Sequence, residues 1–149
     1  TAPWGKRAKE ALRVSGFEEI LASFPRKDQT YIGRTHNMPE DEPIDLSGGQ
    51  RQLLMIAQTL FRPARVLIFD EPTSAVDAEK EDAFFSKLPE AVEGRLCMVV
   101  SHRFSVLRRA ERILVMDAGK IIEDGSHEEL IAKEGRYAEL FALQAKMYN

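Results

Sequence analysis

Two stretches decide how this chain is read: Leu46-Ser47-Gly48-Gly49-Gln50 and Val66-Leu67-Ile68-Phe69-Asp70-Glu71. Ser47 and Gln50 have the S-x-x-Q spacing of a capping box, so a helix is expected to start here. A helix start leaves unpaired N–H groups and a partial positive charge. Glycines let an anion approach that backbone, so the turn suits a phosphate. Read alone, it is equally an ordinary capped helix after a flexible turn. The second stretch is a continuous apolar run, as in a strand covered on both faces. It ends in two carboxylates at the strand's carboxyl end, where parallel α/β sheets bind ligands.

Working outward, the pattern alternates helices and strands. Residues 8–22 read as one or two short helices interrupted at Gly16. Phe24-Pro25 breaks them. Residues 26–45 are polar, with Pro39, Pro43 and the acidic run Glu40-Asp41-Glu42, and read as a loop. Leu53, Leu54, Ile56, Ala57, Leu60 and Phe61 give the helix after Ser47 a broad apolar face, and Pro63 ends it. Asp77 can cap a helix reaching about Leu88. Residues 96–100 form a second apolar strand, followed by a short helix after His102. Residues 113–116 form a third, turning through Asp117-Ala118-Gly119-Lys120 into an antiparallel neighbour. Ser126 and Glu129 are a second capping box, and a last helix runs over 137–147. This is an α/β chain with a mostly parallel sheet.

Composition bounds the function. The chain has 149 residues, 30% of them charged, and a net charge of −3, with basic residues scattered rather than clustered. No nucleic-acid partner is expected. No apolar run is long enough to cross a bilayer, so no membrane insertion by this segment is expected. Cys97 is the single cysteine and sits in an apolar strand, so it reads as a buried small hydrophobe. The first residue is Thr1 rather than Met. Together with the missing motif described below, this points to a segment of a longer chain.

The carboxylates divide their work, because successive strand residues point to opposite sides. One can hold Mg²⁺ through water; the other can orient or deprotonate a water. His102 follows a second strand end and can polarise a phosphate, or simply start a helix. Asp77 alone reads as an N-cap.

The order of these motifs resembles the ATP-binding cassette (ABC) ATPases. Leu46-Ser47-Gly48-Gly49-Gln50-Arg51-Gln52 matches their signature motif. The run 66–74 matches their Walker B segment, Ser74-Ala75-Val76-Asp77 their D-loop, and Ser101-His102-Arg103 their switch-histidine loop. Gly119-Lys120-Ile121 and the ending around 125–130 and 135–140 resemble exporter-type cassettes. The resemblance covers about 46–144 and implies a partial P-loop NTPase (RecA-like) core. Residues 1–62 would be part of the helical subdomain, and 63–149 the C-terminal half of the core. It also implies roles. Ser47, Gly48 and Gly49, with Gln50 nearby, would contact the γ-phosphate of ATP held by a second nucleotide-binding domain. Asp70 would support Mg²⁺, Glu71 would be the catalytic base, and Asp77 would lie at the dimer interface. His102 would contact the γ-phosphate in its own site. The parent would be an ATPase coupled to a transmembrane domain, working at the cytoplasmic face of a cell membrane.

Some positions depart from the family pattern. Leu53 stands where the signature helix often has Arg, Gln58-Thr59 replaces Arg-Ala, and Val76 replaces a common Leu. Gly33-Arg34-Thr35-His36 stands where exporters commonly have G-E-x-G. The phosphate cradle G-x-x-x-x-G-K-[ST] is absent: neither Gly5-Lys6 nor Gly119-Lys120 is followed by Ser or Thr. The family's Q-loop would also lie upstream, so this reads as the C-terminal portion of the domain, inactive alone. In the family fold the cradle strand lies between the second and third strands here, so two strand edges are expected to be unpaired. The other readings are the C-terminal lobe of an SMC/Rad50-like ATPase, which would need an upstream heptad pattern not seen in 1–45, and a non-catalytic ABC module.

Overall fold

The computed structural model describes residues 3–33 and 43–147, in two compact units that divide between Val100 and Ser101. The first unit begins with α1 (Pro3–Ser15) and α2 (Phe17–Ser23). Gly16 separates them at φ 77°, a left-handed conformation that glycine adopts without a Cβ penalty. The Ser15 hydroxyl donates to the Leu12 carbonyl and accepts from the Phe17 N–H, so the break is hydrogen-bonded on both sides. A single 3-10 turn follows at Lys27–Gln29. Within the expected loop, Arg34-Thr35-His36 and the acidic run Glu40-Asp41-Glu42 lie outside the described residues.

α3 (Gly48–Phe61) begins at the expected capping box. It buries Leu53, Ile56, Ala57 and Leu60, an i, i+3, i+4, i+7 stripe, and packs against α1 and α2. Leu53, one of the family departures, is only 2% exposed; a charged residue there would have to be buried. β1 (Val66–Asp70) follows, then α4 (Ala78–Ala91) and β2 (Leu96–Val100). The strands pair in parallel, with Val66 opposite Leu96 and Asp70 opposite Val100. α4 buries Phe84, Phe85 and Leu88. Phe84 meets Phe69 of β1 edge-on at 6.0 Å between ring centroids. Burying each such ring contributes roughly 2–3 kcal/mol. The Arg95 guanidinium donates to the Leu60 and Ala91 carbonyls, tying together the carboxyl ends of α3 and α4.

One expectation is corrected here. β1 is covered on one face, not two: Leu67 and Phe69 are buried while Val66 and Ile68 are 51% and 60% exposed. Leu96, Met98 and Val100 lie on the same open face of β2. A continuous apolar run reports hydrophobic side chains on both faces, but not whether an element packs against each.

The second unit holds α5 (Phe104–Leu107), β3 (Ile113–Asp117), β4 (Lys120–Gly125), α6 (His127–Ala132) and α7 (Arg136–Met147). β3 and β4 pair antiparallel through Ala118 and Gly119 at φ 45° and 76°, the left-handed pair that a two-residue hairpin turn requires. Their core is Ile113, Leu130 and Tyr137, with Phe104, Leu107, Val115 and Ile131 against it. Among the described residues, β1 and β2 are the parallel strand pair, an isolated parallel bridge joins Ile32 and Ile44, and β3 and β4 form a sheet of their own. The two strands that the family fold separates by the cradle strand, β2 and β3, lie in different sheets.

Candidate active site

The start of α3 is built from its own first turn. Ser47 Oγ accepts from the Gln50 N–H at 3.2 Å, and Gln50 Oε1 accepts from the Ser47 N–H at 3.0 Å. The Arg51 N–H goes to the Ser47 carbonyl. The N–H groups of Gly48 and Gly49 therefore remain at the helix end, the two donors the sequence points to. Gln50, expected near a phosphate, has its side-chain oxygen committed to the capping box. Arg51 reaches back to Asp45 and to the Leu46 carbonyl, fixing the approach to the turn.

Asp70 ends β1 on its open face, exposed and opposite Val100. Glu71 leaves the strand at φ 44°, a left-handed conformation costly for a residue with a side chain. Its N–H donates to the Val100 carbonyl at 2.9 Å, extending the ladder one step beyond the strand. This kink was not readable from Asp-Glu-Pro.

The turn after Glu71 is held from two sides. Thr73 Oγ1 donates to Glu81 Oε2 at 2.6 Å, and both residues are buried, at 3% and 6% exposure. From the other side, Gln52 of α3 uses both ends of its amide. Nε2 donates to the Glu71 carbonyl at 3.3 Å and to Ser74 Oγ at 2.7 Å, and Oε1 accepts from the Ala75 N–H at 2.8 Å. Gly49 completes this seam: a Cβ there would stand 2.6 Å from the Ala75 carbonyl oxygen. Gln52 and the packing role of Gly49 are what sequence reasoning missed. The signals were the amide side chain that closes the matched stretch 46–52 and a second glycine with no turn of its own to serve.

Asp77 caps α4, accepting from the Lys80 N–H at 3.0 Å, and its carboxylate pairs with Lys80 Nζ at 2.7 Å. Lys80, through its side-chain and backbone hydrogen bonds, holds the Asp77 carboxyl below the ordinary range. In the second unit, His102 is exposed, and its carbonyl accepts from Gln144 Nε2, whose Oε1 accepts from the Phe104 N–H. Cys97 is half-buried, and burial raises its thiol pKa. A groove of about 650 Å³ lined by Lys6, Arg7, Leu60, Arg62, Arg65 and Arg95 lies at the amino ends of β1 and β2, opposite these carboxylates.

No group of three or more His, Cys, Asp or Glu side chains among the described residues forms a metal cage. A single exposed carboxylate at a strand end is nevertheless the donor set that Mg²⁺ uses when water and phosphate oxygens complete its shell.

A capped glycine turn and a strand end followed by a second carboxylate, joined by Gln52, are laid out in the order of the signature and Walker B segments of ABC-type ATP-binding domains. The ABC transporter family model matches residues 6–74, and the chain matches a portion of the ATP-binding domain of ABC exporters. It is 43% identical over 144 residues to an ATP-dependent lipid A-core flippase of Paraburkholderia xenovorans, covering 97% of this chain. It is 42% identical over 136 residues to the flippase of that name from Chromohalobacter salexigens, covering 91% of this chain. A bacterial Atm1-family ABC exporter solved with ATP bound superposes with a TM-score of 0.79 at 31% identity over 94% of this chain. The chain spans 22–23% of the length of these relatives.

Proposed function

We propose that this chain supplies the signature turn and the hydrolytic carboxylates to the ATPase of an exporter that drives transport across a membrane. The observation that carries the reading is the seam described above. It holds the free N–H groups of Gly48 and Gly49 in fixed relation to the backbone that carries Asp70 and Glu71.

Ser47, Gly48 and Gly49 bind the γ-phosphate of an ATP whose other contacts come from a second nucleotide-binding domain, with Gln50 bracing the turn. Asp70 holds Mg²⁺ through water, which neutralises phosphate charge when bound. Glu71 orients the attacking water and takes its proton. His102 contacts the γ-phosphate in its own site. Asp77 lies at the interface between the two domains. Residues 1–62 serve as part of the helical subdomain and 63–149 as the later part of the core. A transmembrane domain receives the work, which places the segment at the cytoplasmic membrane face.

Glu71→Gln in the transporter that carries this chain is the test. The expected result is ATP binding retained and turnover reduced at least about 100-fold, the scale of a lost general base. Unchanged turnover would overturn the reading. For the 149-residue chain by itself, titration calorimetry is expected to give a Kd for Mg-ATP weaker than about 1 mM, or roughly 4 kcal/mol of binding.

A further inference from the structure

We propose that Gln52 is a positioning residue that couples two ATP sites through a single chain; this rests on the function proposed above. The signature turn serves nucleotide on one side of the domain interface, and the Asp70–Glu71 strand end serves nucleotide on the other. Gln52 is the side chain joining them. It lies one helical turn beyond Gly48, on the same helix face. Its amide is saturated by the segment just after the carboxylates: donor to the Glu71 carbonyl and to Ser74 Oγ, acceptor from the Ala75 N–H. The Glu71 carbonyl also accepts from the Ser74 N–H. Gln52 therefore grips a small closed turn rather than a loose strand of loop.

The second observation is independent of the amide. Gly49 and the Ala75 carbonyl meet with no room for a methyl group. The 71–75 segment thus touches α3 at two places, one of them at Gly49, whose N–H is one of the two phosphate-facing donors. A displacement of 71–75 as nucleotide enters or leaves the Asp70–Glu71 site must either carry the start of α3 with it or break the Gln52 hydrogen bonds. A packed glycine contact transmits such a shift because it cannot compress. An asparagine at 52 would be too short for the same reach, and a leucine would fill the space without the polar grip.

The test uses the complete transporter reconstituted in lipid. Gln52→Leu is expected to lower kcat about tenfold and bring the Hill coefficient for ATP toward 1, on the scale of a misplaced positioning group. The affinity of the first nucleotide, measured with a non-hydrolysable analogue, is expected to stay within about twofold. Ser74→Ala approaches the same link from the other side, and the double variant is expected to be no worse than Gln52→Leu alone. A fall in kcat with an unchanged Hill coefficient overturns the proposal, because a merely structural residue would do that. Additive losses in the double variant also overturn it. If Gln52→Leu fails to fold by circular dichroism, Gln52→Glu carries the test: it keeps the acceptor for Ala75 and loses the donor. Running Glu71→Gln alongside separates the two claims. Turnover surviving in Glu71→Gln sinks the hydrolytic reading. Turnover lost there, but wild-type kcat and Hill coefficient in Gln52→Leu, sinks only the coupling.

Discussion

Gly49 meets the carbonyl of Ala75 so closely that a Cβ on the glycine would stand 2.6 Å from that oxygen. The neighbouring Gly48 has open space around it. Two glycines that look alike in the motif therefore do different work. Gly49→Ala is expected to destabilise the chain by about 1–3 kcal/mol, the cost of forcing backbone apart. Gly48→Ala is expected to leave stability unchanged or raise it by up to about 1 kcal/mol. Urea unfolding of the two variants checks this, and equal midpoints would contradict it.

The turn after Glu71 depends on a buried hydroxyl–carboxylate contact between Thr73 and Glu81. Thr73→Val keeps the shape and removes the donor. Stability should fall by about 1–3 kcal/mol, because a buried acceptor loses a partner. Thr73→Ser, which retains the hydroxyl, should recover most of the loss. A valine variant as stable as the parent would show that the contact contributes nothing.

Asp77 gives a pH-dependent signal with a definite sign. Its carboxyl is held below the ordinary aspartate value of 3.8 by hydrogen bonds from Lys80. A group depressed in the folded state stabilises above the unfolded value and loses that stabilisation as pH falls through the folded value. Asp77→Asn keeps the cap and drops the charge. The parent should therefore have the higher urea midpoint at pH 7, and the gap should close below pH 3.8. The site is exposed, so high salt should narrow the gap as well. A difference that persists at pH 2 would rule out the charge as its source.

At the far end of the chain, the Glu123 carboxylate accepts from the N–H groups of Arg136 and Tyr137, at 2.7 and 2.8 Å, and so caps α7 from β4. Gly135 leaves room for it: a Cβ there would overlap Glu123 Oε1. Gly135→Ala and Glu123→Ala should each cost about 1 kcal/mol, the usual value of an N-cap. Because both remove the same cap, the double variant should cost little more than either one. Additive losses in thermal unfolding would refute the shared origin.

What the sequence made legible was local. Ser47 with Gln50, and Ser126 with Glu129, form their capping boxes because everything each needs lies within four residues. The Ala118-Gly119 hairpin and the Gly16 break follow from backbone conformations that those residues favour. The missed contacts join positions far apart in the chain: Gln52 to Ala75, Gly49 to Ala75, Glu123 to Arg136, and His127 Nδ1 to the buried Tyr137 hydroxyl. No spacing rule reaches across a helix, a strand and a turn. The open face of β1 was misread for a related reason: Val66 and Ile68 are as apolar as Leu67 and Phe69, and only the tertiary structure shows which pair is covered.

The left-handed backbone of Glu71 has a consequence for anyone engineering this chain. A residue that bends against its own preference stores a stability debt at the place where the carboxylate is needed. Replacing it by glycine relaxes the backbone and deletes the carboxylate, so the most inactive variant at this position is expected to be among the sturdiest. A screen that selects for thermal endurance alone will drift toward glycine at 71, away from catalysis.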